Sequence, residues 1–238
     1  MTNNIPSRNP SDDDSLQGLL RIALRKHAMR TDDMLPCHVI SYDRNTNRVM
    51  IRHFITMIAT GGETVPRSNV ASIPALVLGA GDFFVNFNIQ PNDFGWIKAS
   101  DRDISLFLQS YSVQPPNDKR VHDFSSGLFI PDVMTNYTIA EEDSEAMVIQ
   151  NRDGSVKLSL DNNRINMNAP TININGQNAV NINAPNFTVN STTTTINGNT
   201  GINGSSLTHN GTNVGDTHSH PQGVDSRGDT QLDTGGPQ

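Results

Sequence analysis

The spacing of apolar residues changes twice along the chain. Leu16, Leu19, Leu20, Ala23 and His27 recur at intervals of three and four, which predicts a helix over about 15–30. Asp14 is placed to cap its start, with Gln17 three residues on in the pattern of a capping box. Arg21, Arg25, Lys26 and Arg30 crowd its later half, where the helix dipole favours cations. Such a face suits docking on a partner or packing on its own domain. From 33 to 112 the period drops toward two. Leu35 to Tyr42 and Arg48 to Thr56 predict strands, joined by the turn cluster Asp43-Arg-Asn-Thr-Asn47. Asp82 to Ile89, Trp96 to Ala99 and Ile104 to Leu108 complete the set, with Pro91-Asn-Asp-Phe-Gly95 as a tight turn. Five or so strands in roughly 80 residues fit a small closed barrel of the OB type, with a small β-sandwich as the rival. Residues 113–135, with Pro115, Pro116 and Pro131, predict an irregular strap leaving the barrel.

The second change is in chemistry as well as period. Between Ile165 and Gly215 there is no Asp, Glu, Lys or Arg. Ile165-Asn-Met-Asn-Ala-Pro-Thr-Ile-Asn-Ile-Asn175 is answered by Val180-Asn-Ile-Asn-Ala-Pro-Asn-Phe-Thr-Val-Asn190, with weaker echoes at Thr195–Gly198 and Gly201–Gly204. Short repeats of this kind mark β-solenoids. Ile165, Met167, Ile172, Ile174, Val180, Ile182, Phe187 and Val189 fall on one face, and asparagine or threonine on the other. The Ala-Pro pairs mark corners, since proline cannot sit inside a paired strand. One thin chain of this pattern encloses little core; three wound about a common axis can fill an interior with Ile, Val, Phe and Met.

Composition leaves two options, disorder in part of the chain or burial of apolar surface between subunits. Of 238 residues only 34% are hydrophobic, below the usual share for a globular domain. The net charge of −7 argues against a nucleic-acid binder, which needs a basic face. It also argues against attraction to anionic headgroups. Cys37 is the one cysteine, so no intramolecular disulfide is possible, and its apolar surroundings predict a core residue. The start of the chain is polar and acidic, so no signal peptide is expected. No apolar run reaches the ~20 residues of a transmembrane helix.

The chemistry concentrates at Thr217-His218-Ser219-His220-Pro221. Histidines two apart on a strand face the same way. One chain supplies two ligands, too few for a stable site. Three chains about an axis supply six imidazoles in two rings, a set that suits an octahedral first-row metal. With every position taken by protein, such a site is structural and clamps chain ends that otherwise fray. His209 is a weaker candidate for a further layer. No enzyme is expected. The serines lack a nucleophile elbow, Cys37 has no activating partner, and Asp101 and Asp103 alternate with Arg102 as in a charged turn. Arg227-Gly228-Asp229 reads as a chance tripeptide in a polar loop.

The order of helix, barrel, strap, repeat and H-x-H resembles the central spike family of contractile-tailed bacteriophages, the membrane-piercing baseplate proteins. The resemblance is carried by Leu35-Pro-Cys-His-Val with Tyr42-Asp-Arg-Asn-Thr-Asn-Arg-Val49, by Asp93-Phe-Gly95 with Asp101-Arg-Asp103, and by Leu207-Thr-His-Asn-Gly followed by Thr217-His-Ser-His220. It implies a mainly β chain with a tail and docking helix at 1–32, an OB-fold domain and strap at 33–135, an intertwined triple-stranded β-helix at 136–216 and a metal-bound apex at 217–238. It further implies a homotrimer with one iron ion held by His218 and His220 of each chain, and seating of the barrel on a ring-shaped hub protein below the tail tube. The location implied is the baseplate tip of the virion, and the activity is passive piercing of the host outer membrane during contraction. Relatives commonly follow H-x-H with a glycine-rich stretch, where this chain has Pro221-Gln222-Gly223 and a tail to Gln238. The alternatives from other classes are a trimeric receptor-binding fibre tip or adhesin, which needs no barrel and usually ends in an aromatic-rich head, and a metal-dependent hydrolase, which needs an open coordination position.

Overall fold

The computed structural model describes residues 15–59, 61–204 and 206–235, and of Met29 and Arg30 only the backbone. The chain is mainly β and forms two compact units, divided between Ile174 and Asn175. In the first unit, helix α1 (Leu16–Arg30) is followed by β1 (Met34–Asp43), β2 (Arg48–His53), β3 (Met57–Ile58), β4 (Thr64–Val65), β5 (Val70–Pro74), β6 (Leu78–Ala80), β7 (Phe83–Val85) and β8 (Phe94–Ser100). Helix α2 (Ser105–Ser110), β9 (Asp123–Pro131), a 3-10 turn (Glu141–Asp143), β10 (Met147–Gln150), β11 (Lys157–Leu160) and β12 (Ile165–Asn168) complete it. No helix among the described residues is long and apolar enough to cross a membrane.

The principal sheet runs β5-β2-β1-β8-β9. A parallel bridge from Ala75 to Phe129, with the Leu76 amide donating to the Phe129 carbonyl at 2.7 Å, brings its two edges together. The result is a nearly closed five-stranded barrel. Period-two alternation turns Cys37 and Val39, Val49 and Ile51, and Ile97 inward, where they meet Ile73, Ala75, Ile89 and Phe129. Each such large side chain stabilises the barrel by about 1.5–3 kcal/mol. Cys37 is fully buried, as its sequence context predicts, and burial pushes its thiol up to about 12. Gly95 is required by a close approach: a Cβ there would lie 2.5 Å from the Ile130 carbonyl and run into the Phe129 ring.

Three predicted elements differ. Ser105 to Leu108 lies in helix α2, with Ile104 at its N-cap, and not in a strand. Apolar residues at 104, 106 and 108 satisfy either period in so short a run. The Asp103 carboxylate decides the matter by accepting from the Ser105 amide at 2.9 Å and coiling the chain. Asp82 to Ile89 supplies no barrel strand. Phe83–Val85 instead folds back on Leu78–Ala80 around Gly81 at φ 59°, leaving Phe83, Phe84 and Phe87 exposed, and β5 takes the barrel position. The strap expected at 113–135 contains β9, the edge that closes the barrel. Helix α1 forms as expected, but its cap is Ser15, whose Oγ accepts from the Gly18 amide at 3.0 Å; Asp14 lies outside the described residues. Leu16, Leu19, Leu20 and Leu24 remain more than half exposed, so the helix does not bury its apolar side on its own domain.

After β9 the three-stranded sheet β10-β11-β12 has two unlike faces. Pairing puts Met147 and Ile149 opposite Leu160 and Leu158, and these opposite Ile165 and Met167. All six share one apolar face, on which Ile149 and Ile165 are over 60% exposed. On the other face Lys157 donates to the buried Asp143 and, at 2.6 Å, to Glu142, while Arg164 lies 3.5 Å from Asp143. The Lys157 hydrogen bond holds the Asp143 carboxyl below the usual carboxylate range.

Two outcomes follow for this unit. Gly95→Ala should destabilise it by roughly 1–3 kcal/mol or more through overpacking, read as a lowered unfolding midpoint. Lys157→Met should destabilise at neutral pH. Because the folded pKa of Asp143 is depressed, its stabilisation is present above the unfolded carboxylate value and is lost as pH falls through the folded one. The deficit of the variant should therefore narrow below about pH 4 in denaturant titrations at several pH values. A deficit constant through the acid range would contradict the pairing.

Candidate metal centre at the chain end

The second unit begins in the asparagine-rich repeat. Among the described residues, 169–206 contain no helix and no strand pairing, no hydrogen bond joins their peptide groups to one another, and every side chain from 171 to 204 is exposed. Ile172, Ile174, Val180, Ile182, Phe187 and Val189 are each about half exposed or more.

Order returns at a small hairpin, β13 (Thr208–His209) with β14 (Thr212–Asn213). Its two-residue turn is Asn210-Gly211, both with positive φ (50° and 79°), which is the type I′ geometry that asparagine and glycine favour. The hairpin delivers Asn213, whose side chain accepts from the Gly215 amide at 2.9 Å and donates to Thr217 Oγ1 at 2.6 Å. The Val214 amide donates to the Leu207 carbonyl at 2.7 Å and closes the base. Gly215 is thus held from both sides, and its carbonyl accepts twice from His218: from the backbone amide at 3.2 Å and from Nδ1 at 2.5 Å.

That last contact sets the chemistry of the ring. A carbonyl oxygen only accepts, so Nδ1 carries the proton, and in the neutral ring Nε2 is the bare nitrogen. A second bond on the far nitrogen is the usual support for a metal-binding histidine. The His220 ring stands 5.1 Å from that of His218, centre to centre, at 90°. With ligand bonds of about 2.1 Å, two rings this close can converge on one ion. His218 and His220 therefore fit a metal in donor type, and His218 also in tautomer. They are two donors, and among the described residues no third His, Cys, Asp or Glu clusters with them. His209 sits in the hairpin, paired with Thr212.

Beyond the histidines the tail forms a closed loop. The His220 amide donates to Thr234 Oγ1 at 2.8 Å, and the Thr234 amide donates to the His220 carbonyl at 3.0 Å. At its far end the Asp225 carboxylate accepts from the amides of Arg227 (2.8 Å) and Asp229 (2.9 Å), and backbone bonds from Asp229 first of all hold its carboxyl below the usual range. Arg227-Gly228-Asp229 forms this turn, with Gly228 at φ 88°.

The other sequence candidates separate. Asp103 is buried and paired with Arg120 at 2.7 Å, whereas Asp101 is exposed and lies 3.7 Å from His122. Asp33, Asp101 and His122 bring three possible ligand atoms within 4.8 Å of one another, with the Lys98 ammonium already on Asp33. Sequence reasoning passed over Asn213, Gly215 and Thr234. The Asn-Gly turn at 210–211 was the available signal for the first two, and nothing local marks Thr234.

Residues 35–132, less than half of the chain, match the family model described as the phage protein Gp138 N-terminal domain. The match covers the barrel. It supports a phage structural protein with a baseplate-related role, carried in the virion. No curated protein matches the chain.

The hydrogen bond to Gly215 makes one outcome specific. In the neutral, metal-free protein, nitrogen-15 spectra of labelled histidine should place the His218 proton on Nδ1 and leave Nε2 bare. A His218 signal from the Nε2–H tautomer would overturn the arrangement.

Proposed function

We propose that this protein is the central spike of a contractile phage tail: a homotrimer, seated on a hub protein at the end of the tail tube, that pierces the host outer membrane when the sheath contracts. One observation carries the reading. Among the described residues of 169–206 the peptide groups do not pair with one another, and the same segment exposes rows of Ile, Val and Phe. Both needs are met together if three chains pair edge to edge and turn their apolar rows to a common axis. The apolar face of β10–β12, exposed at Met147, Ile149, Ile165 and Met167, would also be covered by neighbouring chains. The match of residues 35–132 to a phage-protein domain supports a phage setting for the proposed trimer, and we read the barrel as OB-type. The exposed leucines of α1 and the Phe83–Phe84 hairpin are surfaces on which a hub or a neighbouring subunit would sit.

At the apex, His218 and His220 of three chains would present six nitrogens to one ion, which we take to be iron by the family resemblance alone. A saturated first-row ion supplies cross-linking, with no open position for activating water. The protein acts as a passive tool and not as an enzyme. Its uncharged shaft carries no tightly held counterions into the bilayer. The fibre-tip alternative is disfavoured by the barrel and by a tail that lacks aromatic residues after Pro221.

Metal analysis with native mass spectrometry tests the reading. Wild type should be a trimer with about one iron per three chains, and His218→Ala/His220→Ala should lose the ion while the trimer persists. A metal-free monomer would sink it.

A further inference from the structure

The two histidines are held by different means. The His218 ring is fixed through its own Nδ1 bond to Gly215. The His220 ring makes no hydrogen bond among the described residues, so its direction must come from its backbone. That backbone is pinned on both sides. Pro221 restricts the preceding residue to extended conformations. Thr234 takes both polar groups of His220, accepting its N–H on Oγ1 at 2.8 Å and donating its own amide to the carbonyl at 3.0 Å. The 13 residues between them close on themselves through the Asp225–Asp229 turn, so Thr234 returns to His220 on a short, internally bonded loop and not on a free tail.

We infer that Thr234 is a positioning residue for the metal ligand His220, and that the tail after Pro221 is a working part of the metal centre. The inference rests on the reading of His218 and His220 as ligands. The Thr234 hydroxyl sets the His220 Cα–Cβ direction, and with it the approach of Nε2 or Nδ1 to an ion that His218 already faces. Groups that orient a ligand from outside the coordination sphere typically change metal retention by about 10- to 100-fold when removed.

The test uses the full-length trimer loaded with iron, or with cobalt(II) as a spectroscopic stand-in, and challenged with a chelator. Thr234→Val keeps the shape and the backbone donor but removes the hydroxyl. It should release metal about 10- to 100-fold faster and shift the cobalt absorption bands. Thr234→Ser, which keeps the hydroxyl, should behave as wild type. Native mass should stay trimeric for both. Wild-type retention and spectrum in Thr234→Val would overturn the inference while leaving the metal reading intact; a wild type that takes up neither metal would remove both. Should Thr234→Val fail to assemble, the wild type alone decides. Amide exchange at His220 should slow on metal loading, because two events that share one conformation stabilise each other reciprocally, and exchange indifferent to the metal would overturn the inference.

Discussion

A peptide group must be paired or wet, and the described residues from 169 to 206 make no backbone pairs of their own. Water could satisfy them, but the same residues hold Ile, Val and Phe in strict alternation, and wet backbone beside exposed apolar rows is a poor resting state. This double demand separates the chain into parts that close on their own resources and parts whose backbone and apolar side chains stay open within one chain. The barrel belongs to the first kind. Its edges meet at Ala75 and Phe129, and its core is filled by residues from five of its own strands. The sheet β10–β12 stands between the two. Its strands pair within the chain and its polar face is tied to Asp143, while its apolar face stays open.

The histidine apex follows the same division. The Asn-Gly hairpin, the Asn213 side chain and the Gly215 carbonyl are all local, and they prepare one ring of each pair without help. Under the proposed reading, two imidazoles 5.1 Å apart would be a fragment of a coordination sphere, much as the repeat would be a fragment of a sheet.

Sequence reasoning found the parts whose signal is periodic or chemical. β1, β2 and β8 alternate cleanly, and Asn210-Gly211 and His218-Ser-His220 announce themselves by residue type. It failed where several conformations share one pattern. Ile104, Leu106 and Leu108 fit a strand until the Asp103 carboxylate coils the chain. The phenylalanines of 83–87 look like a core strand, although glycines at 79 and 81 let them turn out into a small hairpin. Residues 123–131 were hidden by prolines at 115, 116 and 131, which suggested a strap where only the ends are irregular. Contacts across long separations, such as Lys157 with Asp143 or Thr234 with His220, leave no local trace at all.

The prolines of the repeat have a further consequence for a chain that has not yet met its partners. Between Arg164 and Asp216 no charge opposes self-association, and windows such as 171–175 and 186–190 combine high β-propensity with neutrality, the composition that favours amyloid-like stacking. Pro170 and Pro185 stand directly before them, at a 15-residue interval. In the proposed trimer, the residues that would turn the corners of the shaft would therefore also act as gatekeepers in the newly made chain, keeping each sticky stretch too short to stack.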